Sequence, residues 1–146
     1  MNIEIKRARL EDKEFILFAN REINIASGLN KSILEKNIND DIFNKELCKC
    51  LVAKVDGVDV GMCLYSDIYW ANIGKGVYLS QLYVQDNYRG KKIGNKMLEK
   101  IIEDEEYKFI TCLVGEENEN MKKIMYKLKA NSCNLTTYFI KTDDIP

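Results

Sequence analysis

The chain is 146 residues long, 46% apolar and 31% charged, which predicts a single domain over residues 1–146 with room for one core. Its 22 basic and 23 acidic residues are interspersed and leave a formal net charge of -1, which argues against broad affinity for nucleic acid or for an anionic membrane. No histidine occurs, so the commonest general base and every Ser-His or Cys-His nucleophile pair are excluded, and proton transfer falls to carboxylates, tyrosine, lysine, cysteine or water.

Asn2 to Ala8 alternates Ile3 and Ile5 with polar residues, the pattern of a half-buried strand. The segment Met1 to Phe15 lacks the hydrophobic stretch of a signal peptide, and no apolar run is long enough to span a bilayer; a cytoplasmic protein is expected. In Glu11 to Ala26, Phe15, Ile16, Ala19 and Ile23 recur at helical spacing, acidic residues crowd the first turn, and Gly28 supplies a stop. A second, weaker helical pattern covers Ser32 to Phe43.

Leu51 to Val55 and Val58 to Tyr65 are β-rich runs joined by Asp56-Gly57, a pair that tolerates the positive φ of a tight hairpin turn, so they should pair antiparallel. A loop holding Asp67, Tyr69 and Trp70 leads to a strand over Val77 to Val84, then to a helix over Ile93 to Glu103 striped by Ile93, Met97, Leu98, Ile101 and Ile102. A strand over Phe109 to Val114, a short helix over Asn120 to Lys129 and a last strand over Leu135 to Lys141 complete the order βααβββαβαβ. The five cysteines, Cys48, Cys50, Cys63, Cys112 and Cys133, are odd in number and mostly lie in apolar runs, which predicts buried thiols rather than a disulfide framework. Cys48 and Cys50 would share one face of a strand, but no second pair and no histidine completes a metal site, and no metal is expected.

Between the fourth strand and its helix the chain reads Tyr88-Arg89-Gly90-Lys91-Lys92-Ile93-Gly94. Glycine lets the backbone turn tightly and approach a ligand, while the N–H groups that open a helix, aided by its dipole, attract an anion such as a phosphate. A basic surface turn would read the same way. The spacing matches neither the P-loop nor the GxGxxG fingerprint.

The stretch from Leu79 to Leu98 resembles motif A of the GNAT superfamily of N-acetyltransferases, whose pattern is Q/R-x-x-G-x-G/A; Arg89 and Gly94 match it, and Lys92 stands at the first glycine. The element order is similar to that fold over nearly the whole chain: an α/β (α+β) domain with a mixed, mostly antiparallel central sheet flanked by helices. Within the superfamily the run from Val60 to Gly94 is most similar to spermidine/spermine-type and other small-amine acetyltransferases. The resemblance implies acetyl-CoA as cosubstrate, with its pyrophosphate on the backbone of Arg89, Gly90, Lys91, Lys92, Ile93 and Gly94 and its pantetheine arm along Leu82, Tyr83 and Val84. It also implies that the Val84 N–H stabilises an oxyanion, that Asn118 contributes to coenzyme binding, and that Tyr126 protonates the leaving thiolate. The family pattern places an asparagine seven residues before that tyrosine; here the interval from Asn118 is one residue longer, and Ala130 occupies a position where relatives carry glycine.

Polyamine acetylators of this type carry two acidic residues where this chain has Ser80 and Gln81. Asp67 could substitute as base, as could Glu116 or Glu117 through water, with Tyr69 and Trp70 walling an amine pocket by cation–π contact. The expected reaction is direct acetyl transfer to a small-molecule or peptide primary amine in a ternary complex. The alternative is a non-catalytic acyl-CoA-binding regulatory module of the same fold. A covalent route through Cys63 or Cys112 is weaker than a structural role for those thiols. A homodimer and a monomer are both compatible with the sequence, and no nucleic-acid or membrane partner is expected.

Overall fold

The computed structural model describes residues 1–27, 37–104, 106–133, 135–138 and 140–144. By its internal contacts the chain divides into two compact units, Met1–Gly115 and Glu116–Pro146.

The first unit is built on a five-stranded sheet of order β1-β2-β3-β4-β5, with β1 Ile3–Arg7, β2 Lys49–Val55, β3 Val58–Trp70, β4 Gly74–Val84 and β5 Ile110–Thr111. The first four pair antiparallel, and β4 pairs parallel with β5, which gives the mixed, mostly antiparallel sheet expected. The hairpin between β2 and β3 turns on Asp56 and Gly57 at φ 51° and 83°, the left-handed pair that a two-residue loop requires. Asp56 also clips β1 to this turn, since its Oδ1 accepts from the Asn2 N–H at 3.1 Å.

Helix α1, Lys13–Ser27, packs its apolar stripe on one face of the sheet. There Ile16, Ala19, Ile38, Ile42, Cys50, Val52, Met62 and Leu64 form a continuous buried cluster. Full burial of a side chain such as Ile16 or Met62 stabilises by roughly 1.5–3 kcal/mol relative to exposure. The opposite face takes α2, Ile93–Asp104, whose Ile93, Met97, Leu98 and Ile101 are buried. Gly61 makes room for it: a Cβ there would lie 3.2 Å from both Met97 Cε and Ala53 Cβ. A side chain at this position would make the Met97 methyl and the neighbouring strand atoms give by a few tenths of an ångström.

At the β1–α1 junction Lys54 lies between two carboxylates, 3.1 Å from Asp12 and 2.6 Å from Asp59. Asp12 is 1% exposed and also accepts from the Arg9 N–H at 2.8 Å, which fixes the entry into the helix. Burial pushes the Asp12 carboxyl up, but the Arg9 amide and Lys54 together hold it below its ordinary value. Asp59, pushed up by burial and by the charge of Asp12, sits above its own despite Lys54.

Several expected bounds move. Asp67, Tyr69 and Trp70 belong to β3 rather than to a loop, because the β3–β4 ladder continues out to the Trp70–Gly74 pair. The strand expected over Phe109 to Val114 is the two-residue β5. Residues 32–36 of the helix expected over Ser32 to Phe43, and the Gly28 stop expected for the helix before it, lie outside the described residues; 37–39 are helical and Asp40–Asn44 is a π-helical turn.

The second unit carries α3, Glu119–Lys127, capped by Asn118, whose Oδ1 accepts from the Met121 N–H at 3.1 Å. The helix closes with Ala130 N–H donating to Met125 O and Lys129 N–H to Tyr126 O, both at 3.0 Å. This is a Schellman closure with Lys129 as its left-handed residue at φ 57°, one position before Ala130. Residues 135–138 and 140, expected in a last strand, adopt no strand, and Thr142–Asp144 forms a 3₁₀ turn.

Candidate active site

The residues singled out by the motif resemblance lie at the end of β4 and in the turn after it, and the backbone there departs from a regular strand. The Val77 N–H donates to Phe109 O at 2.9 Å, toward β5, while the Gln85 N–H donates to Val60 O at 2.8 Å, toward β3. Strict alternation over an even interval would send both the same way. The ladder resolves the contradiction: Tyr65 faces Leu79 and Leu64 faces Gln81, so Ser80 is an extra residue, a β-bulge. Its hydroxyl donates to Leu64 O at 3.1 Å, anchoring the kink to β3.

Beyond the bulge the alternation is reversed, so the N–H groups of Leu82 and Val84 point away from β3. On that side, among the described residues of the first unit, β5 pairs with Val77 and Tyr78 alone, so within that unit β4 runs past it as an open edge. Tyr83, with its side chain on the α1 face, packs against Phe15 and Phe18 at ring separations of 6.4 and 6.1 Å. Burial, reinforced by Glu22 and Asp86, pushes its phenol up.

The turn into α2 follows directly. Arg89 folds back over the strand end, its Nε donating to Val84 O at 2.9 Å and its Nη1 lying 3.0 Å from Asp86. Lys91 sits over the Tyr88 ring, 5.4 Å from its centroid. Gly90 has φ 76°, and Lys92, at the position where the resemblance places glycine, has φ 63°. Lys92 therefore holds the left-handed backbone despite its side chain. Its carbonyl accepts from the Lys96 N–H at 3.0 Å, which makes it the first acceptor of α2. The N–H groups at Ile93 and Gly94 then precede any intrahelical partner. A Cβ on Gly94 would meet only Leu82 Cδ2, at 3.8 Å, so the protein itself does not require a glycine there. Left-handed turn, helix N-terminus and open β4 edge fit an anionic, extended ligand such as a coenzyme.

Asp67 is occupied. It accepts from the Tyr107 hydroxyl and lies 3.5 Å from Lys49 and 3.7 Å from Lys75. The Tyr107 hydrogen bond, aided by the two lysines, holds its carboxyl below the ordinary value, which weakens it as a base. Tyr107 itself is pushed up to about 12 by burial and by Asp67. Trp70 stacks on Phe109 at 4.6 Å, and Tyr69 is 73% exposed. Cys63 is fully buried and pushed up to about 12, and burial also raises Cys112, so neither thiol is activated as a nucleophile. Tyr126 is 86% exposed on α3.

Asn20 and Asn24 were invisible to a reading of apolar periodicity. Both lie on the sheet-facing side of α1, each 2% exposed. Asn24 Nδ2 donates to Asn20 Oδ1 at 3.0 Å, and Asn20 Nδ2 donates to Gln81 Oε1 at 3.2 Å. The available signal was two asparagines four apart beside an apolar stripe.

The comparisons with known proteins agree with this architecture. The model of the acetyltransferase (GNAT) family matches residues 17–128, and the chain belongs to that family. A thialysine N-epsilon-acetyltransferase of Sus scrofa is 39% identical over 62 residues, 37% of this chain and 36% of that protein. The match thus spans little more than a third of the curated relative's length. Among solved structures, a possible acetyltransferase from Clostridium difficile 630 is similar with a TM-score of 0.79 at 22% identity, covering 97% of this chain and 99% of that one. A predicted acetyltransferase from Clostridium acetobutylicum, solved with acetyl-CoA, has a TM-score of 0.72 at 13% identity, covering 95% of this chain and 96% of the other. These likenesses establish the fold.

Proposed function

We propose that the chain, acting as one domain, transfers the acetyl group of acetyl-CoA directly to a primary amine. The observation that carries this reading is the bulge at Ser80, which turns the Leu82 and Val84 N–H groups to an open strand edge beside the left-handed entry to α2. Family membership and the acetyltransferase activity named for the Sus scrofa relative support it.

In this reading the coenzyme supplies a thioester whose carbonyl carbon accepts the amine. The backbone of Arg89 to Gly94 binds its pyrophosphate, the Leu82–Val84 edge orients the pantetheine arm, and Asn118 contributes to coenzyme binding. The Val84 N–H meets the oxygen where negative charge develops. Tyr126 returns a proton to the leaving thiolate. The acceptor must arrive neutral, and an alkylammonium of pKa near ~10.4 needs a proton sink. With Asp67 held by Tyr107 and two lysines, water carries that proton to solvent. No covalent enzyme intermediate is invoked.

The occupied Asp67 is also the observation that favours a second reading, a coenzyme-binding module without turnover. Release of free coenzyme A from acetyl-CoA, measured over a panel of amines for wild type and Tyr126→Phe beside calorimetric coenzyme binding, separates the two. Amine-dependent release that falls at least tenfold in the variant while binding persists is the expected result. Binding without release for any amine would establish the second reading, and no binding would sink both.

A further inference from the structure

The strongest unexplained feature outside the coenzyme edge is the amide relay Asn24–Asn20–Gln81. Buried polar side chains cost stability unless fully hydrogen-bonded, and apolar residues on this face of α1 would serve packing better. The relay is connected and directional: Asn24 donates to Asn20, and Asn20 donates to Gln81 Oε1. Its end lies at the bulge, with Gln81 immediately after Ser80 and before Leu82. With its oxygen committed to Asn20, the remaining hydrogen-bonding capacity that Gln81 offers is chiefly that of its donor, Nε2.

A strand advances about 3.4 Å per residue, so Gln81 lies roughly 10 Å along β4 from the Val84 N–H. Its side chain lies on the α1 face, shared with its partner Leu64, rather than along the open edge. An amide donor fixed there recognises a carbonyl or carboxylate. It offers nothing to a second ammonium group.

We infer that Gln81 is a specificity-determining residue that selects amines bearing a carboxylate or carbonyl, such as amino acids or peptides, over simple diamines, with Asn20 and Asn24 as positioning residues. This rests on the proposed acetyl transfer to an amine. Recognition is nevertheless testable without turnover.

L-lysine and 1,5-diaminopentane differ only in the carboxylate, so they make a matched pair. Their affinities for the full chain saturated with coenzyme A, measured by calorimetry, should favour lysine by at least tenfold. Gln81→Glu keeps an oxygen for Asn20 and replaces the donor with a second acceptor, so the preference should collapse or invert. Asn24→Leu should weaken lysine about threefold or more, leave diaminopentane unmoved, and leave coenzyme affinity unchanged. A general structural lesion would lower all three. Equal affinities in wild type, or a ratio unmoved in Gln81→Glu, would overturn the inference. Coenzyme A release in the same samples reports separately on acetyl transfer: its absence beside an intact binding ratio would reject the transfer reading while supporting this one.

Discussion

Lys92 is the residue at which sequence and backbone conflict most directly, and the conflict has a measurable size. It holds φ 63°, a conformation that costs an L-residue roughly 1–2 kcal/mol because its Cβ crowds the following carbonyl. Lys92→Gly removes that strain, but the added freedom of glycine in the unfolded chain takes back about 0.5–1 kcal/mol. The net expectation is a gain of about 0.5–1 kcal/mol, which for a chain of this length raises Tm by roughly 2–3 °C. Lys92→Ala is the control, since it keeps the Cβ and loses the ammonium. Urea unfolding of both variants without ligand should place glycine about 1 kcal/mol above alanine. On the proposed function, loss of a cation beside the N-terminus of α2 weakens coenzyme binding about two- to fivefold at low salt in both variants, and the deficit shrinks as salt rises. Equal stability of the glycine and alanine variants would refute the argument, because it would mean that no left-handed strain is stored at this position.

Gly94→Ala should fold with wild-type stability within about 0.5 kcal/mol, because its Cβ meets only Leu82 at 3.8 Å, yet lose at least tenfold in coenzyme affinity by calorimetry if the vacant space serves the ligand. Gly76→Ala should behave oppositely. Its Cβ would lie 2.4 Å from two atoms of the Phe109 ring, forcing that ring off Trp70 at a cost of about 1–3 kcal/mol, visible in urea unfolding and in the fluorescence of the single tryptophan. The acid limb of the stability curve tests Asp12, whose depressed pKa contributes stability above its unfolded value near ~3.9 that is lost as pH falls through the lower folded value. Asp59, with its pKa raised, acts in the opposite sense. Asp12→Asn should therefore flatten the urea stability curve between about pH 5 and 2; an unchanged acid limb would show that Asp12 carries none of it.

The sequence made the β2–β3 hairpin and the turn into α2 legible because each rests on local chemistry. Asp56-Gly57 dictates a hairpin, and the stripe from Ile93 to Ile101 dictates a helix that must cover a sheet. The left-handed turn was legible at Gly90 but contradicted by Lys92, where tertiary context overrides backbone preference. The misreading of Asp67, Tyr69 and Trp70 as loop has a similar cause. Polar and aromatic residues on an exposed strand end carry no alternation signal, and only pairing with Val77, Lys75 and Gly74 extends β3 through them. Asn20 and Asn24 were missed because periodicity counts apolar residues, and a buried asparagine looks in sequence like a solvated one.

Ser80 connects these levels. Without the extra residue, β4 would alternate regularly from Val77, and the groups now turned to the open edge at Leu82 and Val84 would instead pair with β3. The same insertion places Gln81 opposite Leu64 on the α1 face, where Asn20 meets its amide. One bulge thus exposes a donor edge in the plane of the sheet and sets a second donor on the face beside it, so the proposed acetyl site and acceptor filter share one backbone irregularity. Their registers are fixed together, since closing the bulge would turn Leu82 and Val84 inward and carry Gln81 away from Asn20 in the same movement.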